Sequence, residues 1–186
     1  MVAIVGSAGG ILALEAVLGE LPQQLAAVVL AVIHLTARAP SVLPAILGRT
    51  TDLLVRQAAE DDVLATGVVF VAPPDAHLLV GEDDRLHLDH SELVHYVRPS
   101  ADVLLLSLAR NHPGACAAVV LSGTGIDGAA GAAAVKQAGG RVFAQDEETS
   151  QYFGMPGAAI LAGGVDEVLP LDRIAPAVLQ WAANSR

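Results

Sequence analysis

The sequence holds a single cysteine, Cys116, so no internal disulfide can form and a reducing compartment such as the cytoplasm is expected. Aromatic residues make up only 3%, which leaves Ala, Val, Leu and Ile to build any core. No apolar run approaches the roughly 18 residues that a membrane span needs. The longest, residues 25–35, is too short and carries His34. The start, Met1-Val2-Ala3-Ile4, lacks the basic region of a secretory signal. Basic residues are scarce: ten face twenty acidic ones, the net charge is -10, and Lys136 is the sole lysine. Phosphate recognition needs clustered Lys and Arg, so no nucleic-acid partner is expected, and without a long apolar run no direct membrane insertion is expected either.

What is present suits one folded domain across residues 1–186. Hydrophobic residues are 53% and charged residues 16%, outside the range of disordered chains. A chain this long buries roughly 70% of its unfolded surface. Strand and helix patterns alternate along it, with no internal repeat and no long linker. Continuous apolar runs predict buried strands over 2–5, 27–33, 68–72 and 115–121, with shorter ones at 141–144 and 165–168. Apolar residues at helical spacing predict helices over 9–21, 41–48, 100–111, 127–137 and 174–183, with a further one around 158–161. Ser41 and Ser100 are candidate N-caps. Residues 78–80 and 86–88 flank Gly81-Glu82-Asp83-Asp84-Arg85 and read as a hairpin. Fully apolar strands alternating with helices imply a doubly wound, mostly parallel α/β sheet with helices on both faces, plus a small antiparallel hairpin.

Such sheets bind ligands beyond the carboxyl ends of their strands. Gly6-Ser7-Ala8-Gly9-Gly10 follows the first strand, His34 the second, and Ser122-Gly123-Thr124-Gly125-Ile126-Asp127-Gly128 the strand over 115–121. A serine, a histidine and an aspartate therefore share one rim, the inventory for nucleophilic acyl transfer. Each has a plainer reading taken singly: Ser7 and Asp127 as helix caps, His34 as a core histidine. Glycines around Ser7 permit a sharp strand-to-helix turn with room beside the hydroxyl, the logic of a nucleophile elbow without its Gly-x-Ser-x-Gly pattern. The amides at Ala8 and Gly9, near a helix N-terminus, are candidate oxyanion donors.

Residues 123–128 also match Gly-x-Gly-x-x-Gly, with Asp146 further on, so a nucleotide-binding domain is one alternative. Two points oppose it: Asp127 would put a carboxylate into a phosphate cradle, and little chain remains for the rest of a dinucleotide site. The acid runs 60–62, 82–84 and 146–148 read as solvated surface. His77, His87, His90 and His95 lack zinc spacing, and Cys116 sits within a predicted strand, so neither a metal nor a cofactor is expected.

These residues carry a resemblance. Gly6-Ser7-Ala8-Gly9-Gly10, His34, residues 72–78 (Ala-Pro-Pro-Asp-Ala-His-Leu), residues 98–104 (Arg-Pro-Ser-Ala-Asp-Val-Leu), residues 123–129, Gln145-Asp146-Glu147 and Gly154-Met155-Pro156 occur in one order. Together they resemble the catalytic domain of the CheB family of protein-glutamate methylesterases, which also deamidate glutamine. The resemblance implies a Ser7–His34–Asp127 triad, an oxyanion donor at the Thr124 amide, and a methylated receptor or receptor-like protein as partner. It implies removal of methyl groups from glutamyl esters, with no cofactor. Two positions depart from the family: Ala8 stands where threonine is usual, and Thr124 where methionine is. The family usually carries an N-terminal receiver domain, for which residues 1–186 leave no place. A non-catalytic binding module on the same fold is the other alternative.

Overall fold

A computed structural model describes residues 1–34 and 42–184. Seven strands form one parallel sheet: β1 (Val2–Gly6), β2 (Val29–Ile33), β3 (Leu54–Gln57), β4 (Val68–Val71), β7 (Ala117–Val120), β8 (Arg141–Gln145) and β9 (Glu167–Leu169). The spatial order is β3-β4-β2-β1-β7-β8-β9. The expected hairpin is β5 (His77–Val80) against β6 (Leu86–Asp89), antiparallel and outside the main sheet.

Side chains alternate across the sheet, and both faces are covered. Val2 and Ile4 join one core, packed by Leu14 and Leu18 of α1 (Gly10–Gly19), Leu43 and Leu47 of α2 (Leu43–Leu47), and Ile174 and Val178 of α6 (Leu171–Asn184). Ala3 and Val5 join the other, packed by Leu104 and Leu108 of α3 (Ala101–Asn111), Ala132 and Val135 of α4 (Ala129–Gln137), and Met155 and Ala159 of α5 (Gly154–Leu161). This two-faced burial is why the inner strands read as unbroken apolar runs.

The departures from expectation lie at edges and ends. The strand Leu54–Gln57 was not anticipated; it is one of the sheet's two edge strands, mostly exposed, and its Leu-Val-Arg-Gln sequence has no buried face to advertise. The short helix near Pro156 starts earlier, at Gly154, with the proline in its first turn, where a missing N–H is harmless. Pro176 lies inside α6, which begins at Leu171 rather than 174. The Ser41 cap lies outside the described residues. Among the described residues no helix is long and apolar enough to cross a membrane.

The strand order fixes where a ligand belongs. After β1 the chain lays β2 beside it, forms β3 at the edge, places β4 between β3 and β2, and then returns to the other side of β1 with β7. The crevice between β1 and β7 is the topological switch point. Ser7, His34 and the 123–128 loop all leave the sheet beside it, at the ends of β1, β2 and β7.

Candidate active site

The loop after β1 is built to expose Ser7. Its amide donates to the Ser122 carbonyl (3.0 Å), and its carbonyl accepts from Gly10 N (2.8 Å), which closes the turn into α1. The N-cap of α1 is Gly9, at φ 74°, and it receives no side-chain cap. Ser7 therefore does not cap the helix through its hydroxyl, and among the described residues that hydroxyl has no partner. Close packing explains two glycines here. A Cβ at Gly9 would lie 2.7 Å from Ser122 Oγ, and one at Gly123 would lie 2.3 Å from Met155 Sδ and 3.0 Å from Ser7 Cβ. A side chain at either place would push the Ser7 loop off its support.

His34 leaves β2 with its amide bonded to Gly6 O (3.2 Å), so its backbone is tied to the end of β1. Its Nε2 lies 2.7 Å from Asp127 Oδ2. A carboxylate can only accept, so Nε2 carries a proton, and in the neutral imidazole Nδ1 is then the nitrogen with a lone pair. The imidazole is 11% exposed and the carboxylate 3%.

Asp127 does not cap the helix that follows it. The N-cap of α4 is Gly128, and the Asp127 carboxylate instead crosses to the N-terminus of α3. There Oδ1 accepts from Ser100 Oγ (2.7 Å) and Asp102 N (3.1 Å), while Oδ2 accepts from Ala101 N (2.6 Å) as well as from His34. Burial pushes the carboxyl upward, but the hydrogen bonds from His34, Ser100, Ala101 and Asp102 outweigh it and hold Asp127 below the usual carboxylate range. The helix end adds its own favourable field.

Ser7, Ala8, Gly9 and His34 line one cavity of about 450 Å³. No hydrogen bond joins Ser7 Oγ to His34. Such bonds are often loose before substrate binds. The amides of Ala8 and Gly9 have no acceptor among the described residues, so two donors are available on the same loop. Thr124 is exposed on the loop just past Gly123, its amide likewise without an acceptor there.

Several supporting residues were not anticipated from sequence. Ser122 ties three segments together: its carbonyl holds Ser7 N, its Oγ donates to Ala8 O (2.9 Å), and its Oγ accepts from Tyr152 N (3.0 Å). Gln145 Oε1 holds Ser122 N at 2.9 Å. His77, fully buried, accepts at Nδ1 from Ser100 N (3.1 Å) and donates at Nε2 to Glu92 O (3.1 Å), which fixes Ser100 under Asp127. Ser100 was legible as a cap; its partner 27 residues away was not.

Two groups of side chains bring metal-type ligands together among the described residues: Glu60, Asp61 and His87, and His95, Asp102 and Asp127. In the first, Glu60 is engaged by His87 Nδ1 (2.9 Å) and Leu88 N (2.6 Å). In the second, Asp127 already accepts four donors, which leaves no lone pair for a cation. Asp146, the acid of the nucleotide-type pattern, accepts from Thr149 N (2.9 Å) and Oγ1 (2.7 Å) and lines a separate cavity of about 710 Å³ that holds none of Ser7, His34 or Asp127.

A parallel α/β fold with a serine, a histidine and a buried carboxylate at its switch point has the layout of a serine hydrolase. The family model for the CheB methylesterase matches residues 2–178, and the chain belongs to that family. It is 40% identical over 181 residues to the protein-glutamate methylesterase FrzG of Myxococcus xanthus, covering 97% of this chain and 54% of that one. It is 35% identical over 179 residues to a putative protein-glutamate methylesterase/protein-glutamine glutaminase of Leptospira interrogans, covering 96% and 93%. Among solved structures it is similar to the CheB methylesterase catalytic domain of Thermotoga maritima, with a TM-score of 0.91, 34% identity and 97% of each chain covered. The chain spans about half the length of the first curated relatives it matches.

Proposed function

We propose that the protein hydrolyses glutamyl methyl esters on a methylated receptor-like protein, with Ser7 as nucleophile, His34 as general base and Asp127 as the group that orients and stabilises His34. The observation that carries this is the 2.7 Å contact between His34 Nε2 and Asp127 Oδ2, on a histidine that shares a cavity with Ser7. The names of the relatives, methylesterase and glutaminase, supply the substrate class.

The bonded nitrogen sets the direction of proton flow. With Nε2 turned to Asp127, Nδ1 is the base that takes the Ser7 proton as Oγ attacks the ester carbonyl. Negative charge develops on the carbonyl oxygen, and the amides of Ala8, Gly9 and Thr124 are the donors proposed to receive it. One such donor is worth about 2.7–4 kcal/mol of barrier. Collapse breaks the carbon–oxygen bond, and methanol leaves with the proton from His34. Water, deprotonated by the same Nδ1, then hydrolyses the acyl-enzyme and restores Ser7. The four donors on Asp127 keep it ionised opposite the imidazolium that forms in both steps.

The test is Ser7→Ala on a methyl-esterified receptor-helix substrate. Methanol release should fall at least about 10³-fold, with an unchanged thermal melt. A fluorophosphonate should label Ser7 in the parent protein and fail to label it after His34→Ala. Full methanol release from the Ser7 variant removes the serine from its role.

A further inference from the structure

We infer that Gln151 sets the balance between amide and ester hydrolysis, by accepting a hydrogen bond from the leaving nitrogen of a glutamine substrate; this rests on the function proposed above. Apart from Ser7 and His34, Gln151 is the one polar side chain lining the cavity among the described residues; Ile11, Leu12 and Ile33 supply the apolar remainder. Its carboxamide has no hydrogen-bond partner there.

Its placement is tied to the nucleophile. The next residue, Tyr152, donates its amide to Ser122 Oγ (3.0 Å), and the same hydroxyl holds Ala8 O (2.9 Å). The Gln151 side chain lies against Gly9: a Cβ built there would be 2.8 Å from both Cβ and Oε1 of Gln151. Gln151 thus overlooks the loop that carries Ser7 and the proposed oxyanion amides.

The two substrates differ only in what leaves. A methyl ester expels –OCH3, which has no donor and suits an apolar wall. A glutamine expels –NH2, whose N–H groups lose water on entering the cavity and need an acceptor. In both, a bond forms between Ser7 Oγ and the carbonyl carbon. In the amide case the carbon–nitrogen bond breaks, and the nitrogen leaves as ammonia with the proton that His34 took from Ser7. Gln151 Oε1 is the acceptor available for the N–H that His34 does not face. A site that satisfies a donor discriminates against the substrate lacking it, and loses that discrimination when the acceptor goes.

The experiment compares two peptides of one receptor helix, identical except for a glutamyl methyl ester or a glutamine, and reads methanol and ammonia. Gln151→Leu should lower the amide-to-ester ratio of kcat/KM by about tenfold, whereas Gln151→Glu, which keeps an acceptor at the same reach, should stay within about threefold of the parent ratio. Fluorophosphonate labelling of Ser7 in each variant verifies a folded site. Equal losses on both substrates in Gln151→Leu overturn the inference, as does a parent protein that releases methanol but no ammonia. A parent protein that releases neither overturns the proposed function itself, a distinct result.

Discussion

Asp127 and Asp102 are neighbouring buried acids at the start of α3, and the protein treats them oppositely. Asp127 is held below the usual carboxylate range although burial pushes it upward, because one imidazole, one hydroxyl and two amides donate to it. Asp102 is pushed above that range by burial first and by the charge of Asp127 after it, against the amide of Gly131 (2.7 Å) and the half-exposed His95 (Nε2 to Oδ2, 3.1 Å). Similar depth therefore gives opposite chemistry, and the number of donors decides which. One carboxylate is kept charged beside His34, where the proposed mechanism would form an imidazolium. Its neighbour yields, to burial first and then to repulsion from the Asp127 charge.

The largest break in that comparison is Asp127→Ala. It strands Ser100 Oγ and the amides of Ala101 and Asp102 without their acceptor and leaves His34 free to turn. Methanol release should fall by on the order of 10⁴-fold, and chemical denaturation should show a loss of about 3–5 kcal/mol. Because the folded carboxyl is lowered, its stabilising contribution is complete above the unfolded-state pKa and disappears as pH falls through the folded one. The parent protein should lose stability along that acid limb, and the variant should lack that part of the slope. Asp102→Ala with equal effects on both rate and acid limb would erase the distinction between the two acids.

Much of this was readable from sequence, for a definite reason. Strands buried on both faces must be apolar throughout, so β1, β2, β4 and β7 announced themselves, and the residues at their ends pointed to Ser7, His34 and Asp127. The edge strand Leu54–Gln57 escaped because one exposed strand imposes no such pattern. Asp127 looked like a cap and is one, but for α3 rather than α4; local sequence marks a capping residue and is silent on a helix end brought in from 27 residues away. The same limit hid the contacts of Ser122 and Gln145 and the place of Gln151 in the cavity, which exist only once distant segments lie side by side.

A smaller effect isolates the hydroxyl from the carboxylate it serves. Ser100 Oγ donates to Asp127 Oδ1 (2.7 Å) and accepts from Val103 N (3.4 Å), so it caps α3 and supports the site together. Ser100→Ala removes both bonds while sparing the two amides on Asp127. The expected loss is about 1–2 kcal/mol in a denaturant titration. The turnover number should drop several-fold with KM little changed, since the group acts through Asp127 and touches no substrate. A loss as great as that of Asp127→Ala would mean that the helix amides contribute nothing and the hydroxyl everything.

The smallest effect tests the other acid. A carboxyl raised by folding holds its proton more tightly in the native state, so its contribution is complete below the unfolded-state pKa and is lost as pH rises through the folded one. Asp102→Asn keeps an acceptor for Gly131 N and removes the negative charge beside Asp127. Relative to the parent, the variant should therefore gain stability as pH rises from about 4 to 7, by an amount within about 1 kcal/mol. Paired denaturation midpoints at the two pH values measure it. The opposite slope, a variant that worsens toward neutrality, would mean that folding lowers the Asp102 carboxyl instead, and that the two neighbouring acids are both kept ionised after all.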